Sequence, residues 1–221
     1  MQITELPKLR QGDRRIALMG GAFDPIHVGH LWICQEAVRL CGLDRVFLLP
    51  SYVPPHKASC VAPFSSRMQM VEAALKTLTP NREAILSPCD LERSLTGPSY
   101  SFRTAETLRN SWGQDKWLAF ILGTDALAEL HTWRNVELFV ELCDALLVAV
   151  RPGCPSSCPV KSAEEKIIPI GRVPFAVSST MIRERSRSGF PIRYLVPEVI
   201  EHYIQRKGIY AAQHAERSDR F

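Results

Sequence analysis

The chain has 221 residues, 46% hydrophobic and 23% charged, the size and composition of one compact globular domain. Lysine and arginine total 27 against 23 aspartates and glutamates, an excess that suits an anionic substrate but is too small and scattered to make the basic stripe of a nucleic-acid-binding protein. No window approaches the roughly 20 apolar residues that span a bilayer, and the opening MQITELPKLRQGDRR lacks the apolar centre of a signal peptide, so a cytoplasmic protein with no membrane partner is expected.

Behind a polar lead (1–14), residues 15–19 (RIALM) form a short apolar run stopped by Gly20 and Gly21, which predicts a buried first strand. From Gly29 onward Leu31, Cys34, Val38 and Cys41 recur at helical spacing and Gly42 stands where a C-terminal cap is expected. Residues 45–50 (RVFLLP) predict a second strand, followed by a proline-rich loop to residue 63 and a helix over 65–78 with Met68, Val71, Leu75 and Leu78 on one face. A strand over 84–87, a helix over 101–110, strands over 117–122 (WLAFIL) and 145–150 (ALLVAV), and a further strand candidate over 166–170 complete the alternation. The seven cysteines are odd in number and Cys34 and Cys41 lie on the first helical stripe, so most read as reduced small hydrophobes rather than a disulfide framework. Cys154 and Cys158 sit in the loop RPGCPSSCPV, and with no second ligand pair at metal spacing this reads as a solvated loop.

Apolar strands separated by amphipathic helices predict a parallel sheet covered on both faces, a doubly wound α/β sandwich in one domain over residues 15–210, with a polar tail over 211–221. Ligands of such sheets bind beyond the carboxyl ends of the strands. There the segment GGAFDPIHVGH (20–30) lies between the first strand and the first helix. Glycines let the backbone approach a phosphate, the helix N-terminus offers free N–H groups, and His27 and His30, three apart, could both donate to oxygens that gain charge during transfer. A helix cap plus a core histidine is the bland alternative.

This segment resembles the HxGH signature of the nucleotidylyltransferases, a Rossmann-like fold, and its GGxFDPxHxGH form looks like the bacterial nicotinate-mononucleotide adenylyltransferases. The resemblance runs over residues 16–210 through further motifs in that family's order. VPPHK (53–57) is similar to a loop in which His56 and Lys57 hold substrate phosphates, with an exposed turn as the alternative. GPSYS (97–101) followed by Thr104 is similar to SYTxxTL, a segment implied to contact the pyridine's acid group; here Ser101 replaces threonine and Ala105 replaces leucine. GTDALAELHTW (123–133) matches GxDxxxxLxxW, implying Asp125 on a ribose hydroxyl and Trp133 stacked on the pyridine, against a helix cap and a core tryptophan. VSSTMIR (177–183) resembles ISSTxIR, implying that Ser178, Ser179, Thr180 and Arg183 hold ATP phosphates, though capping alone would explain the hydroxyls. Residues 191–210 resemble the family's C-terminal helix, a structural element.

The resemblance implies ATP contacts at Gly20, Gly21, Phe23, His27, His30, Ser178, Ser179, Thr180 and Arg183, and mononucleotide contacts at His56, Lys57, Thr104, Asp125 and Trp133. The implied reaction is adenylyl transfer from ATP to nicotinate mononucleotide, giving deamido-NAD and pyrophosphate, with His27, His30, Lys57 and Arg183 stabilising charge. Mg²⁺ is implied with the nucleotide; the sequence offers no dense carboxylate cluster for a protein metal cage, and Asp24 could reach the ion only through water. Nicotinamide mononucleotide or another phosphorylated acceptor, such as phosphopantetheine, is the alternative within the superfamily, and a silent nucleotide sensor or a nucleic-acid-binding protein the alternative outside it.

Overall fold

The structure, a computed structural model, describes residues 6–54, 60–78, 85–95, 97–150, 157–174 and 176–211. In chain order these form β1 (Arg15–Gly21), α1 (Val28–Cys41), β2 (Arg45–Pro50), α2 (Phe64–Lys76), β3 (Leu86–Pro88) and a single turn α3 (Leu91–Ser94). They continue with α4 (Ser101–Trp112), β4 (Trp117–Gly123), a short α5 (Thr124–Ala128), α6 (Val136–Leu142), β5 (Ala145–Val150), β6 (Ile167–Arg172), α7 (Ser179–Arg187) and α8 (Glu198–Lys207). The six strands pair in parallel in the order β3-β2-β1-β4-β5-β6.

Alternate residues of the strands point to opposite faces, and each face is covered. Ala17, Met19, Val46, Leu48, Ala119 and Ile121 meet Ile33 and Cys34 of α1, Met70 and Val71 of α2 and Ile200 and Ile204 of α8. Ile16, Leu18, Phe47, Leu49, Leu118 and Phe120 meet Ala105 and Leu108 of α4 and Phe139 and Val140 of α6. A strand buried on both sides has no polar face, which is why 117–122 and 145–150 are continuous apolar runs. The chain is therefore a doubly wound α/β sandwich, and no described helix is long and apolar enough to cross a membrane.

Three expectations are corrected. The inward face of α2 is Arg67, Met70, Val71, Ala74 and Leu75, with Met68 only half-buried, because a buried arginine occupies the position that polarity alone assigns to solvent. The polar lead is packed against the domain: Leu6 and Leu9 lie on the core, and the buried Asp13 pairs with Arg45 at 3.1 Å. The strand expected over 84–87 is Leu86–Pro88, and residues 79–84 and Cys154 lie outside the described residues. Gly42 does close α1 in the left-handed conformation, φ 57°, its N–H donating to Val38 O.

Candidate active site

The strand order reverses between β1 and β4, so the loops leaving those two strands diverge and open a crevice at the carboxyl edge. Out of β1 the chain passes through Gly20 and Gly21, takes a left-handed conformation at Phe23 (φ 46°) and enters α1 at the N-cap His27. A left-handed backbone at a bulky side chain is costly and is kept where the surroundings fix it; here the Phe23 ring is buried edge-on against His30 at 5.0 Å.

His27 and His30 stack with ring centroids 3.6 Å apart. His30 Nδ1 accepts the backbone N–H of His27 at 3.2 Å, so the neutral ring carries its proton on Nε2 as a donor. Both rings are buried, His27 at 1% and His30 at 9% exposure, so His30 is the more open of the two. Gly29 between them permits the approach of a second segment: a Cβ there would stand 2.8 Å from Val177 Cγ1.

Val177 leads into α7, whose hydroxyls are already employed. Ser178 Oγ caps the helix by accepting the Met181 N–H at 3.2 Å, and the Ser179 hydroxyl donates to Pro25 O at 2.9 Å. Thr180 is exposed, and its Oγ1 accepts from Arg183 Nη2 at 3.1 Å while Arg183 Nη1 donates to Asp24 O at 2.7 Å. The guanidinium is thus braced across the turn that holds the histidines, and the first N–H groups of α7 open beside it. Ser178 therefore caps α7, Ser179 ties it to the glycine turn, and Arg183 carries the charge.

On the other side of the glycine turn lies a cleft of about 320 Å³ lined by residues that include Gly20, Gly21, Ser99, Tyr100, Ser101, Asp125, Trp133 and Arg134. Asp125 is exposed at the first turn of α5, and the N-cap is Gly123, so capping does not account for the aspartate. Trp133 meets both readings: it packs on Phe139 at 5.3 Å and also walls the cleft. Thr104 does not line it. The residue is 1% exposed on α4, and its hydroxyl has no partner, a state that costs about 1–3 kcal/mol when nothing satisfies it.

Several residues outside the candidate set hold this geometry, and two of them, Arg67 and Glu92, carry no motif signal. Arg67, 2% exposed, donates to Ala22 O at 2.6 Å, Ser51 O at 2.7 Å and Ala62 O at 3.2 Å, fastening the β1–α1 turn and both ends of the β2–α2 loop to one guanidinium. Asp24 is buried, and its carboxylate receives Val61 N, Ala62 N and the Tyr210 hydroxyl at 2.8, 3.1 and 2.5 Å, fastening the turn to the rest of the domain. Tyr210 in turn is held protonated far above the usual phenol range by burial and that carboxylate. Glu92 receives the Ser99 hydroxyl and lines the cleft, and burial pushes its carboxyl up to about 7. Among the described residues no group of three or more His, Cys, Asp or Glu is placed to hold a metal ion. His56 and Lys57 lie outside the described residues.

The model of the cytidylyltransferase-like family matches residues 18–185. A Coprothermobacter proteolyticus protein named "Probable nicotinate-nucleotide adenylyltransferase" is 37% identical over 89% of this chain and 95% of its own length. A Thermus thermophilus protein of the same name is 37% identical over 89% and 99% respectively. Among solved structures, Plasmodium falciparum nicotinic acid mononucleotide adenylyltransferase complexed with NaAD superposes with a TM-score of 0.75 at 18% identity, covering 89% of this chain and 97% of that one, a likeness of fold. Since the family match and these relatives span the same strands and turns that build the crevice, the chain belongs to the cytidylyltransferase-like family, with the nicotinate-nucleotide adenylyltransferases.

Proposed function

We propose that the protein transfers the adenylyl group of ATP to nicotinate mononucleotide, releasing pyrophosphate and forming deamido-NAD. The observation that carries the reading is that one glycine turn both fixes His30, with its proton directed to Nε2, and braces Arg183 through Asp24 O. A 5′-phosphate oxygen of the mononucleotide attacks the α-phosphorus of ATP in line, the P–O bond to the β-phosphate breaks, and pyrophosphate leaves with the electron pair. The attacking phosphate is already ionised, so no general base is needed, and the protein's part is positioning and charge stabilisation.

In this reading ATP lies against Gly20, Gly21 and Phe23, its phosphates meeting His27, His30, the N–H groups of α7 and Arg183, with Lys57 a further cation. Ser178 and Ser179 shape the turn, and Thr180 orients the arginine. Nicotinate mononucleotide occupies the cleft, its ribose on Asp125 and its ring on Trp133, and a ligand group that reaches the buried Thr104 hydroxyl would satisfy it. Mg²⁺ enters as the companion of the triphosphate: the Asp24 carboxylate is taken by three donors and leaves no protein carboxylate at the turn for a cage.

The test is the initial rate with Mg²⁺-ATP and either nicotinate or nicotinamide mononucleotide, following pyrophosphate and dinucleotide together. The expected result is preference for the acid, with kcat falling about 10²- to 10³-fold in His30→Ala, the scale of losing one charge-stabilising donor. Turnover in a folded His30→Ala variant equal to the parent would remove the histidine from the chemistry, and no turnover with either acceptor would remove the reaction.

A further inference from the structure

The cleft carries a charge pattern that the glycine-turn chemistry leaves unused. Its described lining residues include two exposed carboxylates, Asp125 and Glu129, the buried carboxyl of Glu92, and one cation, Arg134. Asp125 and Glu129 stand four apart along α5 and its C-cap, hence on one face. Glu92 comes from α3, after β3, and is buried, with Oε2 lacking a partner. Arg134 follows Trp133 directly and precedes Asn135, which turns the chain into α6 at φ 50°. It is exposed and makes no ion pair with a described residue.

Gly20–Ala22, part of the turn that leads to the histidines, line the cleft, and a phosphate belongs there; Trp133 and Arg134, which follow α5, line it as well. Resting on the reading of this cleft as the mononucleotide site, we propose that Arg134 selects the acid over the amide by pairing with the ring's carboxylate.

The physical case is one of charge balance. A pyridine nucleotide's ring nitrogen is quaternary and positive in both acceptors, and the acidic lining favours that charge equally in both. The acid adds a negative group that the same lining repels. Arg134 offsets that repulsion, its planar guanidinium matching a carboxylate through two parallel N–H donors. The amide has no negative charge to pair and meets the guanidinium as a second cation beside its own ring. Without Arg134 only carboxylates remain among the charged described lining residues, which favours the amide.

The test measures kcat/KM for both mononucleotides, and KM for ATP, in the parent, Arg134→Lys and Arg134→Ala. The expected result is a loss of about tenfold in the acid-to-amide ratio for Arg134→Ala, the scale of one partly exposed charge-assisted pair. Lysine should restore part of the ratio, and KM for ATP should be unchanged. An Arg134→Ala variant that keeps the parent's ratio overturns the role of Arg134 while leaving the reaction standing. A parent that uses acid and amide equally, or neither, overturns the reading of the site itself. If Arg134→Ala turns over neither acceptor, titration of each mononucleotide against tryptophan fluorescence decides on the same ratio.

Discussion

Glu92 is a carboxyl whose environment was invisible in its neighbours along the chain. Burial raises it from 4.5 to about 7, partly opposed by the Ser99 hydroxyl, the Tyr52 backbone and the nearby Arg67 charge. Because the folded form binds the proton more tightly than the unfolded one, Glu92's contribution to stability is greatest below about pH 4.5 and is lost as pH rises towards 7. The penalty above that window is at most about 3 kcal/mol. Glu92→Gln keeps the acceptor for Ser99 and removes the titration, so its stability advantage over the parent should grow between pH 5 and 7 in urea melts. A difference flat across that range would mean that the carboxyl is not desolvated. At the same scale the cysteines behave as read: Cys34, Cys89 and Cys143 are buried, and burial pushes each thiol up to about 12, leaving them neutral at physiological pH.

Among the elements, α1 shows how a motif glycine works. Gly29 has an ordinary negative φ, so what matters there is the missing Cβ, whose place Val177 and the His27 ring already crowd at 2.8 and 3.1 Å. Gly29→Ala should destabilise by about 1–3 kcal/mol, the usual cost of overpacking, and should lower kcat by separating α1 from α7. Val177→Ala in the same chain should restore most of both, measured as a double-mutant cycle. Additive effects would show that the two segments do not press on each other. The elements left out of the periodicity reading, α3 at Leu91–Ser94 and α6 at Val136–Leu142, are too short to display a helical repeat and exist because Leu91, Phe139 and Val140 find core to enter.

At the level of the whole molecule, the Asp24 carboxylate joins three distant stretches of chain: the first glycine turn, residues 61–62, and Tyr210, 186 positions away in sequence. Tyr210→Phe deletes the hydroxyl and leaves the ring in the core, so it should cost about 1.5–3 kcal/mol, the range for a hydrogen bond to a charged group. The urea midpoint should fall with an unchanged slope. A shift below about 0.5 kcal/mol, within the scatter of an ordinary surface substitution, would mean that this closure contributes nothing.

Strands, the glycine turn and the order of the motifs were legible in the amino-acid sequence because each is a local pattern: apolar runs report burial on both faces, and glycine beside paired histidines reports a helix start that can meet an anion. The family resemblance extended this to Asp125, Trp133 and Arg183, whose positions are set by motif spacing. What only the tertiary structure decided is which polar groups point inward and at whom. Arg67, at a position that polarity assigns to solvent, is a buried hub, the Asp24 carboxylate receives three donors, Thr104 is buried with its hydroxyl unpartnered, and Arg134 shares a cleft with Asp125, Glu129 and the buried Glu92. Such pairings join residues dozens of positions apart, and their energies depend on desolvation and distance, which exist only once the sheet has brought the loops of β1, β2 and β4 to one edge.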